Sequence, residues 1–283
     1  MRYTLQKLIE EFRADPDSPF ATLNHAVRVR QTRLFERLIR EHGDLSLKQI
    51  RPRDLIAWHK EWLGPGKIAI AHALVSRLRV LFRFGDVFLE DRECRRLSAC
   101  LTKLRFEKPV LRGLAITDEQ VISFRKAAHQ IGRESLALAQ ALQYELRLAQ
   151  KNVIGIYVPS SEPIETDVVH ADYGRWHDGI RWSDLDDDFN LYSSDRKRRT
   201  SFVGNLRDAP MVMKELAIYC EMEPEKITRD NLPRTGPIIL NEISAFPYTT
   251  SEFRRNWRIV ANFAQLPKTI MNKDSKRPSS LQL

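Results

Sequence analysis

Basic side chains at helical spacing are the residues of this sequence best equipped for chemistry. Arg30, Arg33, Arg37 and Arg40 recur every three or four positions, which on a helix sets four guanidinium groups along one face. Val27, Leu34, Leu38 and Ile39 fall on the neighbouring face, so the segment can bury one side and offer the other. Lys67 heads a second such segment, in which Arg79 and Arg83 stand one turn apart while Leu74, Leu78, Leu81 and Phe82 turn inward. Two further groups are the run Arg196-Lys197-Arg198-Arg199 and the pair Arg254-Arg255. Acidic residues are scarce at i±4 along these stripes, which favours contact with phosphate oxygens over a merely solvated face.

Other reactive residue types are less persuasive. Asp184, Asp186, Asp187 and Asp188 would be needed as a cation site if the protein hydrolysed phosphodiesters, but they read as a polar turn after Trp182. Cys94, Cys100 and Cys220 are odd in number and lack CxxC spacing, so a reduced setting is expected rather than a disulfide framework or zinc site. No metal, cofactor or small-molecule substrate is expected. No apolar run approaches the roughly 18–20 residues that span a bilayer, and the opening residues lack a secretory h-region. The expected setting is cytoplasmic and nucleoid-associated, with no membrane partner.

The elements that must carry these groups fall into two halves. Residues 1–108 hold 22 Lys+Arg against 14 Asp+Glu, whereas 109–283 hold 24 against 23, within a net charge of +9 over 283 residues. A basic half beside a neutral one predicts that the first half meets a polyanion. That half reads as all-α, with helices at Leu5–Ala14, Thr22–Glu41, Arg53–Leu63, Lys67–Phe84 (stopped by Gly85) and roughly Glu93–Leu104. The pattern breaks after Arg105, and 109–116, with Pro109 and Gly113, reads as a linker. From 117 to 283 the reading is mixed α+β and mainly helical. Thr117-Asp118-Glu119-Gln120 looks like an N-cap with a capping box opening a helix to Gln130, followed by one helix from Glu134 to Val153. Loop signals fill 159–179. Short strands are expected at Gly179–Trp182, Phe189–Tyr192, Ser201–Val203 and Pro237–Leu240, with helices at Ala209–Tyr219 and Thr250–Ala264.

In order and spacing, Ala141-Leu142-Gln143-Tyr144-Glu145 leading to Gln150-Lys151-Asn152-Val153-Ile154-Gly155, then Gly179-Ile180-Arg181-Trp182-Ser183-Asp184-Leu185-Asp186, then Phe253-Arg254-Arg255-Asn256-Trp257-Arg258 resemble the tyrosine recombinases (phage integrases). The likeness runs along nearly the full length and is nearest to alphaproteobacterial phage-type integrases. It implies a helical, SAM-like core-binding domain followed by a catalytic-type domain. It also implies double-stranded DNA as partner, a possible homo-oligomer on that DNA, and a role in DNA integration or recombination. In that family a tyrosine hydroxyl attacks a phosphodiester to give a 3′-phosphotyrosyl link. Two arginines and a His or Lys hold the phosphoryl oxygens, and a hairpin lysine protonates the leaving oxygen.

Carried over position by position, the resemblance is incomplete. Lys197 falls where the general-acid lysine belongs. Ala149 stands at the first arginine, with Arg147 two residues early. Lys273 and Lys276 stand at the His and Arg of the His-x-x-Arg box, and no histidine follows His177. The last tyrosine is Tyr248, ahead of the box, so the family's nucleophile is expected to be missing and the domain C-terminally truncated. The expectation is a DNA-binding protein, catalytically impaired, occupying sites or remaining from a mobile element. The alternatives are an active recombinase whose nucleophile is supplied in trans, and a helical interaction protein whose basic face is incidental.

Overall fold

The computed structural model describes residues 3–64, 67–109, 113–194 and 200–275. The chain divides into two compact units, Met1–Arg112 and Gly113–Leu283.

The first unit is built of α1 (Leu5–Ala14), α2 (His25–His42), α3 (Pro52–Trp62), α4 (Ile68–Val87) and α5 (Arg92–Lys103). Local signals set most of the boundaries. Asn24, whose side chain accepts from the Val27 N–H at 3.0 Å, caps α2, so the helix starts three residues later than Thr22 suggested. Pro52 occupies the first position of α3, where its missing N–H costs nothing, and the Asp54 carboxylate accepts from the Arg51 N–H at 2.7 Å. The expected stop at Gly85 does not occur. α4 runs on to Val87 because Gly85 serves packing instead: a Cβ there would lie 2.3 Å from the buried Cys94 Sγ of α5. Phe12, Phe35 and Phe84 meet edge to face in the core, with centroids 5.6 and 5.2 Å from Phe12, a favoured ring geometry.

The second unit wraps its elements around one buried helix. α6 (Asp118–Gln130) opens on the capping box that the sequence predicts, with Thr117 and Gln120 bonded reciprocally at 3.3 and 3.1 Å. α7 (Glu134–Glu145) is buried from Leu136 to Tyr144, as a helix apolar on all sides must be. The single helix expected over 134–153 is two. Glu145 turns away to accept the Met211 and Val212 N–H groups at 3.1 and 2.9 Å. Arg147 then takes φ +54°, a left-handed conformation that ends an α-helix. A short α8 (Gln150–Ile154) follows.

The stretch 159–179 is less irregular than its composition suggests. β1 (Ile156–Val158), β2 (Val169–His170) and β3 (Gly174–His177) form an antiparallel sheet in the order β1-β3-β2. Conversely, Gly179–Trp182 and Pro237–Leu240 are not strands. They meet only through an isolated bridge, Arg181 to Pro237, and Trp182–Asp184 coils into a 3-10 turn. The expected hairpin is present as β4 (Asn190–Ser194) and β5 (Thr200–Asn205). α9 (Pro210–Cys220) and α10 (Thr250–Phe263) complete the unit. Phe253, Trp257 and Val260 of α10 join the core around α7.

Candidate functional site

In the first unit the arginines of α2 separate by their partners. Arg37 donates from Nε to Glu41 Oε1 at 2.8 Å and Arg40 lies 3.9 Å from the same oxygen. Two of the four arginines of the stripe thus share one of the few acids near it. Glu41 also accepts from Trp62 Nε1 at 2.8 Å. Burial opposes ionisation of this carboxyl, but the bonds from Arg37 and Trp62 hold it below the ordinary glutamate range. Arg33, Lys67 and Arg83 are exposed. Arg79 is committed to the fold: it donates to the Leu101 carbonyl at 3.3 Å and lies over the Phe106 ring. Of the expected phosphate contacts, Arg79 is thus one that also has partners within the fold.

Arg30 has a partner the sequence did not announce. With His72, Ser76 and Arg77 of α4 it lines a cavity of about 380 Å³ between α2 and α4, whose lining contains no carboxylate. Burial, and then the charge of Arg30, lower the pKa of the Arg77 guanidinium. Two like charges held across a half-closed cavity are mutually unfavourable and are relieved by an anion between them. Arg77 was missed because only Arg79 and Arg83 gave a one-turn repeat. The usable signal was Ala73 and Ala69, one and two turns before Arg77, which leave room on that face.

In the second unit the relevant place is the turn from α7 to α8. Arg147 is exposed on its left-handed residue. Ala149 is the N-cap of α8 in extended conformation, φ −73° and ψ 149°. Arg254 of α10 is exposed and donates from Nε to Gln150 Oε1 at 3.2 Å, and Arg255 beside it is exposed too. α7 also holds the segment that follows α10. Gln143 Oε1 accepts from Asn272 Nδ2 at 3.0 Å, while Gln140 Oε1 accepts from Ser275 Oγ at 3.0 Å and Trp257 Nε1 at 2.8 Å. Lys273 sits exposed on the turn so anchored. Arg196, Lys197, Arg198, Arg199 and Lys276 lie outside the described residues.

The remaining candidates are structural. Tyr248 is fully buried, with its hydroxyl bonded to Glu242 Oε2 at 2.9 Å and within 3.0 Å of Ser135 Oγ. Burial drives its pKa far up. Asp186 accepts from the backbone N–H groups of Asn190 and Asp188, Asp184 accepts from the Arg181 N–H, and Asp187 pairs with Arg234. Among the described residues no group of three His, Cys, Asp or Glu side chains is placed to hold a metal. Arg229 is buried and donates to the carbonyls of Trp182, Leu185 and Pro233, a staple rather than a binding group. No helix among the described residues is long and apolar enough to cross a membrane.

No family model matches the sequence, and no curated protein matches it. Solved structures do match the fold. Lambda integrase in a tetramer bound to a Holliday junction aligns over 94% of this chain with a TM-score of 0.66 and 16% identity, and this chain spans 65% of that one. Lambda integrase residues 75–356 bound to DNA align over 96% of this chain and 83% of that one, with TM-score 0.65 and 15% identity. The Tn1549 transposon integrase in complex with circular intermediate DNA gives 0.59 and 11%, over 96% and 84%. The fold is that of the tyrosine recombinases. On the tyrosine-recombinase resemblance, Arg147 takes the place of the glycine in Thr-Gly-x-Arg, and its positive φ is the conformation glycine would adopt most cheaply. Ala149 holds the position of the family's first arginine, two residues after the bend at Arg147.

Proposed function

We propose that this chain is a tyrosine-recombinase relative that binds duplex DNA and leaves it uncut. The observation that carries the proposal is the acid-free cavity between α2 and α4, where Arg30 and Arg77 face each other beside His72. It lies in the basic part of the chain, where a phosphate would relieve the repulsion between two guanidinium groups. Arg33, Lys67 and Arg83, and Arg254 and Arg255 in the second unit, are further contacts. Arg196, Arg198 and Arg199 would add charge, and Lys197 and Lys276 would be what remains of the catalytic set. The likeness to integrases solved on DNA as dimers and tetramers supports a DNA partner and self-association on it.

The absence of cutting rests on internal positions. Ala149 has no group to hold a phosphoryl oxygen, Lys273 stands at the box histidine, and Tyr248 is sealed in the core. Loss of one transition-state donor costs about 3–4 kcal/mol, and the losses act on the same developing charge. The test is a salt titration of duplex binding together with a nicked suicide substrate. Log K should fall by about 0.9 per phosphate contacted as log salt rises, with no covalent adduct. A flat salt response would sink the DNA reading. A trapped adduct would refute the uncut reading in favour of an active enzyme that uses an unconventional nucleophile or one supplied in trans.

A further inference from the structure

The second unit lacks the first arginine of its family, yet a guanidinium from a different element stands beside the empty position. Arg254 lies in the first half of α10, next to Phe253, which is fully buried and fixes that turn of the helix against the core. Its Nε donates to Gln150 Oε1 at 3.2 Å, and Gln150 follows Ala149 directly. Among the described residues Arg254 makes no ion pair with a carboxylate, although residues 109–283 carry almost as many acids as bases. A freely solvated arginine needs no such tether. With Nε held by the carboxamide, the edge formed by the two η nitrogens is left to bind, and that edge matches two oxygens of a phosphate.

The geometry points to Arg254 as the arginine that meets a DNA phosphate at the turn between α7 and α8, in place of the one the family carries where this chain has Ala149. Gln150 is the positioning residue that holds it there. This rests on the DNA-binding reading above and adds a specific site to it. The replacement restores charge and a two-toothed hydrogen-bonding edge, but from α10 rather than from the head of α8. Binding is thereby kept while the approach to the phosphate differs from that of a cutting enzyme.

The experiment is fluorescence anisotropy of a fluorescein-labelled DNA duplex with the full chain across a salt series. Arg254→Ala should weaken binding about tenfold and lower the slope of log K against log salt by about 0.9. Adding Ala149→Arg to that variant should restore the slope and most of the affinity, because the extended backbone at 149 accepts any ordinary residue. Adding Ile122→Arg instead, on the exposed face of α6, should restore neither. A flat response of the parent chain would refute DNA binding itself. A steep parent response with Arg254→Ala unchanged would overturn the present inference alone. So would failure of Ala149→Arg to rescue, or equal rescue by Ile122→Arg. Should the Ala149→Arg chain not fold by circular dichroism, Gln150→Ala decides. It should weaken binding in the parent chain and have no effect once Arg254 is alanine, and an equal effect in both backgrounds would overturn the role of Gln150 and of the site.

Discussion

At the scale of single residues, what an arginine does here follows from what it touches rather than from where it falls in a repeat. Arg79 and Arg83 have the same spacing in the sequence, yet Arg79 bonds the Leu101 carbonyl and Arg83 is exposed. Arg77, which belongs to no repeat, faces Arg30 across a cavity without acids. Replacing both Arg30 and Arg77 by alanine should lower the salt slope of duplex binding by about 0.9, the effect of the one phosphate they would share. Arg79→Ala should leave the slope alone and lower the thermal midpoint, since it removes a packed side chain rather than a ligand contact. The paired measurements separate the two roles, and the reverse pattern would mean that the cavity is closed to DNA.

At the scale of elements, two contacts control how the first unit presents its charge. Glu41 holds Arg37 and Arg40 at the end of α2. Glu41→Gln keeps an oxygen for Trp62 Nε1 and removes the negative charge, so binding to duplex DNA should tighten and its salt slope should steepen. The sign of the pH effect is fixed by the direction of the shift. Because the folded pKa of Glu41 lies below the ordinary value of 4.5, its stabilisation is present above that pH and is lost as pH falls through the folded pKa. Denaturant midpoints should therefore decline less steeply on acidification in Glu41→Gln than in the parent, and parallel acid limbs would refute the assignment. The second contact is α4 against α5. Gly85→Ala puts a methyl group 2.3 Å from Cys94 Sγ, and overpacking of this kind costs about 1–3 kcal/mol. Equilibrium unfolding reads that loss, and Cys94→Ala in the same chain should recover part of it.

At the scale of the whole molecule, each unit closes its own core. One core runs from Leu5 to Leu101 and the other from Ile116 to Ile270. Separate cores make a single two-state transition an unsafe description. Scanning calorimetry should give a van't Hoff enthalpy smaller than the calorimetric one, with duplex DNA raising the midpoint of the first unit by mass action. Equality of the two enthalpies would show that the units melt as one.

The sequence by itself determined what local physics controls. The cap at Thr117, the periodicity of α1 and α10 and the hairpin of β4 and β5 were all legible, because each depends on neighbours a few residues away. The resemblance to tyrosine recombinases, and with it the fold, was legible for the same reason, as an ordered series of short motifs. The site was legible only as a set of candidate arginines. Tertiary structure alone decided that Gly85 is a contact rather than a stop, and that the helix expected over 134–153 breaks at a left-handed Arg147. It also put β2 and β3 in a region read as loop, brought Arg77 and Arg30 from separate helices to one cavity, and set Arg254 beside Gln150 across 104 positions of chain. Burial, charge partners and close approach are relations between distant segments, and no local spacing encodes them.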